Sequence, residues 1–163
     1  YHMSAAKIKL ADYLRKSNKN AGEAESLYKS VLSLLKSQKA EDRKYMVQAY
    51  LGLSALSLKL KENKNAEEYC NKAIELQARG DHNPDELARD YLILASIFKS
   101  LGKPDQAIKY SKQALQIREA EFGFQDKTLL NCLQQLHSLL QLSDKKEAEK
   151  IKARIAQIEA KSN

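Results

Sequence analysis

A 41-residue period constrains this chain more than any single residue does. Ala66, Ala107 and Ala148 each open an amphipathic run and stand 41 residues apart, and Ala24 precedes Ala66 by 42. Self-similarity at a fixed period of about 20–50 residues marks a repeat architecture, in which each unit buries its apolar face only against its neighbours. Such a chain reads first as a surface that holds something.

The elements follow from composition and spacing. Among 163 residues there are 5 Gly, 2 Pro and no Trp, with abundant Ala, Leu, Lys and Glu, a mixture that favours helix and starves turns and strands. Apolar residues recur at helical spacing: Tyr91, Leu94, Ala95 and Phe98 on one stripe, Ala107, Ala114 and Ile117 on the next, Leu133, Leu136 and Leu140 further on. The expected helices cover 4–17, 21–38, 42–60, 65–79, 85–101, 104–122, 127–142 and 145–161. Asn20, Asn65, Asn83 and Asp144 are candidate N-caps, each placed before an acid. Pro84 and Pro104 suit first turns, and Gly102 suits a helix end. Short links force consecutive helices to run antiparallel. The expectation is an all-α fold of eight antiparallel helices in about four helix-turn-helix repeats. Tyr1-His2 reads as a tag remnant ahead of Met3. Residues 4–163 then form one domain, with repeats at about 4–41, 42–84, 85–126 and 127–161.

Charge and chemistry narrow the function. The net charge of +7 sits at the ends: residues 1–40 carry 8 Lys/Arg against 3 Asp/Glu, and 127–163 carry 7 against 4. A basic end attracts nucleic acid or an anionic membrane surface. Here, however, cations alternate with acids, as in Lys145-Lys146-Glu147-Ala148-Glu149-Lys150, and no aromatics interleave for base stacking. No apolar run reaches the ~18 residues that a membrane span needs. Cys70 and Cys132 lack a disulfide or metal-ligand pattern and read as buried thiols of a reduced, cytoplasmic compartment. His82 and His137 read as structural. No phosphate loop, metal cluster or nucleophile–base motif is present, and Glu67-Glu68, being adjacent, point to different helix faces. The reading is therefore no enzyme, no cofactor, no small-molecule substrate and no nucleic acid.

The residues Tyr91-x2-Leu94-Ala95-x2-Phe98-x3-Gly102-x4-Ala107-x6-Ala114 resemble the tetratricopeptide repeat, and Tyr50, Leu53, Ser54, Ala66 and Ala73 repeat the match, with Lys61 where Gly102 would fall. The first repeat fits with one extra residue between Ala11 and Ala24. The last fits with one fewer between Leu133 and Ala148, and has Ile155 at the second Ala position. The long period is similar to the kinesin light chain class of that family. Two stretches carry this likeness, Ala114-Leu115-Gln116-Ile117-Arg118-Glu119-Ala120-Glu121-Phe122-Gly123 and Asp81-His82-Asn83-Pro84-Asp85-Glu86-Leu87-Ala88. The resemblance implies a right-handed α-solenoid whose first helices line a concave groove for a partner's peptide or helix. Ala95, Ala107 and Ala114 then sit at helix crossings, where a larger side chain overpacks at a cost of about 1–3 kcal/mol.

On that register the groove is lined by Gln48, Leu51 and Ala55, by Arg89, Leu92, Ser96 and Lys99, and by Asn131, Gln134 and Ser138. Amides there can pair with a peptide backbone, and cations with an acidic side chain or terminal carboxylate. Ala55 stands where repeats that clamp chaperone tails place an Asn, which argues against that ligand. Two alternatives accompany the groove reading. One is self-association through the ends, where Ile151, Ile155 and Ile158 belong to a helix charged like a cap and Ile8, Leu10 and Leu14 to a less clearly capped first helix. The other is binding of nucleic acid or anionic membrane by the basic ends.

Overall fold

The computed structural model describes residues 2–35, 39–79, 83–124 and 126–161, with the side chain of Leu142 excepted. Among these lie eight α-helices: α1 (His2–Ser17), α2 (Ala21–Leu34), α3 (Ala40–Lys59), α4 (Asn63–Gln77), α5 (Pro84–Ser100), α6 (Pro104–Phe122), α7 (Leu130–Ser143) and α8 (Lys145–Lys161). A 3-10 turn, Lys127–Leu129, leads into α7. The fold is an all-α helical repeat, and no strand occurs among the described residues. The chain divides into two compact units, residues 1–82 and 83–163, each holding two helix pairs.

The caps explain most boundaries. Asn20 Oδ1 accepts from the Glu23 amide at 3.0 Å, and its Nδ2 donates back to the Glu23 carboxylate at 3.1 Å. Asn83 accepts from the amides of Asp85 and Glu86, and Asp144 from that of Glu147 at 2.9 Å. Asn65 is a correction: α4 starts at Asn63, and the Asn65 amide instead donates to Glu62 Oε2 at 2.9 Å. The α7 segment also starts later than its apolar pattern suggests. Asp126 accepts from the Thr128 amide at 2.7 Å, which holds 127–129 in the tighter 3-10 turn. Helix α1 begins inside the residues read as a tag remnant, and the last residues expected in α2 lie outside the described ones, as does His82.

In unit 1 the core joins Ile8, Ala11 and Leu14 of α1, Ala24, Tyr28 and Val31 of α2, and Ala49, Leu53 and Leu56 of α3. Tyr28 is completely buried. Its hydroxyl donates to Asp12 Oδ1 at 2.5 Å and accepts from Arg15 Nε at 3.4 Å, which ties α2 to α1. Burial, and then the Asp12 hydrogen bond, hold this phenol far above its ordinary range. Gly52 of α3 lies under the ring. A Cβ there would come within 2.4 Å of Tyr28 Cε1 and Cζ.

The α3–α4 pair is joined by Ser54, whose Oγ donates to the Ala66 carbonyl at 2.6 Å and lies 3.2 Å from Cys70 Sγ. The α5–α6 pair repeats this crossing 41 residues on, with Ala95, Ala107, Ser111 and Ala114 all fully buried. Ala95 replaces Ser54 there, and the buried Ser111 hydroxyl, at the place of Cys70, has no hydrogen-bond partner. The aromatic contacts repeat as well. Tyr50 and Tyr69 stack with centroids 6.2 Å apart, and Tyr91 and Tyr110 meet at 5.6 Å. The core of unit 2 runs from Ala88 and Ala114 through Leu129, Cys132, Leu133, Leu136 and Leu140 to Ala148 and Ile158.

Lys61 and Gly102 end α3 and α5 in the same way, both with left-handed backbone at φ +61° and +71°. The amides of Glu62 and Lys103 reach back to the carbonyls of Ser57 and Phe98 at 2.8 and 2.9 Å, the closing bond of a Schellman turn. Lysine carries a Cβ into a conformation that costs it about 1–2 kcal/mol and costs glycine little. Lys61→Gly should therefore raise the thermal midpoint by a few degrees, at ~1 kcal/mol of added stability. The opposite sign is expected for Gly52→Ala. In an open helix this change gains about 1 kcal/mol of propensity, but here the methyl must displace a buried tyrosine, and a net loss of about 1–3 kcal/mol should appear in denaturant unfolding.

Candidate partner-binding face

The extended second helix of the third repeat positions the face by fixing both of its ends. Helix α6 runs 19 residues where α4 runs 15. Arg118 stands where α4 ends, and Glu119 opens the additional turn. Arg118 reaches Asp85 at the start of α5 at 2.9 Å, and Arg154 of α8 pairs with Glu119 and donates to the Phe124 carbonyl at 2.6 Å. Each arginine also lies 5.8 Å from an aromatic centroid, Phe122 and Phe124 respectively. One stretch of α6 thus locks the α5 start and the α8 face within unit 2.

Helices α5 and α7, the first helices of their repeats, are knitted by polar side chains. Gln135 Nε2 donates to Ser96 Oγ at 2.8 Å and to the Leu92 carbonyl at 3.1 Å. Lys99 Nζ donates to Ser138 Oγ at 3.0 Å, and Ser138 donates to the Gln135 carbonyl at 3.1 Å. The structure thus brings together Leu92, Ser96, Lys99 and Ser138 from the sequence-derived set. Asn131 and Gln134 stand exposed on α7. Gln135 joins the two helices and was absent from that set. Its signal was the helical spacing to Asn131 and Ser138, which puts Gln135 between them on one face.

Other members of the set are placed differently. Leu92 is half-buried against the unit 2 core, so only part of its side chain is open. Arg89 is exposed but engaged: its guanidinium grips Asp85 one turn earlier. That hydrogen bond, with the Arg118 charge behind it, holds the Asp85 carboxyl below the usual carboxylate range. Arg89 is therefore not the free cation that its position suggested. Among the described residues the ammonium of Lys99 meets a neutral hydroxyl and no acid. On α3, in unit 1, Gln48 and Ala55 are half-buried. Leu51 is 2% exposed and offers no open apolar lining; residues 51 to 54 of α3 are all buried, so the helix is covered on every side at that point.

The remaining chemistry is sparse. Burial lifts the Cys70 thiol to about 11 against the opposing Ser54 contact, and burial lifts Cys132 too, which leaves little thiolate at either. Among the described residues no group of three His, Cys, Asp or Glu side chains is arranged to hold a metal ion. No described helix is long and apolar enough to cross a membrane.

The Asp85 cluster makes a pH-dependent contribution. A carboxyl depressed on folding adds stability that is fully present above its unfolded pKa, ~3.9, and is lost as pH falls through the lower folded value. Asp85→Asn should cost about 1 kcal/mol at neutral pH, a drop of roughly 2–4 °C in thermal midpoint. The gap between the melting curves of the two proteins should narrow as pH falls below about 4 and close beneath the lower folded value.

Comparison with known proteins agrees with this geometry. Residues 45–120, spanning α3 to α6, match the tetratricopeptide repeat family. The Arabidopsis thaliana protein kinesin light chain-related 2 is 26% identical over 97 residues, covering 58% of this chain and 15% of that protein; the chain thus spans a small part of that relative's length. With the 41-residue period, the small-residue crossings and the extended α6, these matches support a tetratricopeptide repeat protein of the kinesin light chain-like type.

Proposed function

We propose that this chain is a non-catalytic protein-interaction module, and that the α5–α7 face of unit 2 receives an extended peptide from a partner protein. Tetratricopeptide repeats generally mediate protein–protein interaction. The observation that supports this face is the hydrogen-bonded cluster of Ser96, Gln135, Lys99 and Ser138. It fixes two consecutive first helices side by side and leaves one uncompensated ammonium among exposed amides. Asn131 and Gln134 supply donors and acceptors for a peptide backbone, and Lys99 supplies a counter-charge for an acidic side chain or terminal carboxylate. Preorganisation by the cluster lowers the ordering cost of binding.

Self-association through the ends has less support. Residues 1–40 and 127–163 are both net positive, so stacking end on end opposes like charges.

A peptide array probed with the purified chain tests the proposal. Peptides carrying an acid should be retained by the wild type. Lys99→Glu, at an exposed position, should weaken them about tenfold with an unchanged helical spectrum. Retention that is indifferent to Lys99→Glu and to an Asn131→Ala, Gln134→Ala double variant would place the binding surface elsewhere.

A further inference from the structure

The outward face of α1 carries a second apolar pattern, apart from the residues that pack against α2 and α3. Met3, Leu10 and Tyr13 are 63%, 46% and 56% exposed, and Ala6 between them is exposed as well. The buried residues of the helix, Ser4, Ile8, Ala11 and Leu14, lie on another side. Positions 3, 6, 10 and 13 follow the 3-4-3 spacing of heptad a and d sites, a narrow seam that fits one partner helix rather than the broad apolar face that enters a lipid interface.

The flanks of the seam define the partner's charge. On this register Lys9 and Lys16 occupy g positions, and both are exposed. Lys19 lies 5.9 Å from the Tyr13 ring centroid and adds a third cation at the end of the seam. The e side is closed, since Lys7 donates to Ser30 of α2 and Leu14 is buried. Asp12, the one acid of α1, is taken by Arg15 and Tyr28. A second copy of α1 would bring lysines against lysines, the arrangement that flanking charges use to exclude a pairing.

We infer that the solvent face of α1 is a docking seam for an acidic amphipathic helix of a partner protein, with apolar a and d residues and acids on the flank that meets Lys9 and Lys16. It is separate from the α5–α7 face and does not depend on that reading.

The test uses the full chain and a labelled three-heptad peptide with Leu at a and d and Glu at e and g, followed by fluorescence anisotropy. The control is the same peptide with Lys at e and g. The Glu peptide should bind and the Lys peptide should not, with affinity falling as salt rises. Leu10→Lys with Tyr13→Lys should lower affinity about tenfold although it adds two positive charges. Charge alone would raise it. Lys9→Glu with Lys16→Glu should move preference to the Lys peptide, a gain that misfolding cannot imitate. Equal binding of both peptides, or undiminished binding by the Leu10→Lys, Tyr13→Lys variant, would overturn the proposal. Co-sedimentation with phosphatidylserine vesicles without peptide binding would overturn it in favour of a membrane surface. A light-scattering mass that doubles with concentration and drops for the same variant would overturn it in favour of a second copy.

Discussion

Close approach of the two helices in each pair is the constraint on which the rest of the structure depends. At the α3–α4 crossing a serine hydroxyl, a single atom beyond Cβ, reaches the Ala66 backbone carbonyl of the opposite helix. Such contact requires that Ala66 and Ala73 present only methyl groups, and both are fully buried. Because an interior packs at crystal-like density, the spacing at this crossing sets the position of the tyrosines beside it and the direction in which each helix leaves. The same small residues recur 41 positions later, and the same tyrosine pair recurs with them. The two copies are not equivalent in polarity. Ser54 satisfies Cys70, whereas Ala95 leaves the Ser111 hydroxyl unpaired, which is a local cost of about 1–3 kcal/mol in a buried site.

Charge is used in two distinct ways. Inside unit 2, arginines are held between acids and aromatic rings: Arg118 by Asp85 and Phe122, Arg154 by Glu119 and Phe124. These half-buried pairs fix helix ends and are withdrawn from any partner. On the outer surfaces, Lys9, Lys16 and Lys99 have no acid holding them in place among the described residues. Sorting cations by their existing partners, rather than by their position on a helix, separates Arg89, held by the Asp85 carboxylate, from Lys99, which meets a hydroxyl.

Much of the fold was legible beforehand because helix periodicity, caps and small-residue spacing are local properties. The expected helices fall close to the observed ones, and Asn20, Asn83 and Asp144 cap as their spacing implies. Asn65 misled because its neighbour Glu62 offered the amide a carboxylate and the helix extended past it. The face was less legible. Leu51 and Gln135 are assigned by which neighbouring helix each side chain meets, and a repeat register off by one residue turns a helix position by about 100°.

By itself the sequence determined the period, the all-helical class, the repeat family and the sites of the small-residue crossings, since each is written in spacings along the chain. Only the tertiary structure decided that Gly52 makes room for Tyr28, that Arg118 and Glu119 bind in opposite directions from α6, and that Arg89 meets an acid while Lys99 meets a hydroxyl. Those outcomes join residues on different helices, and pairwise contact at such range depends on where packed backbones place the side chains rather than on any local pattern.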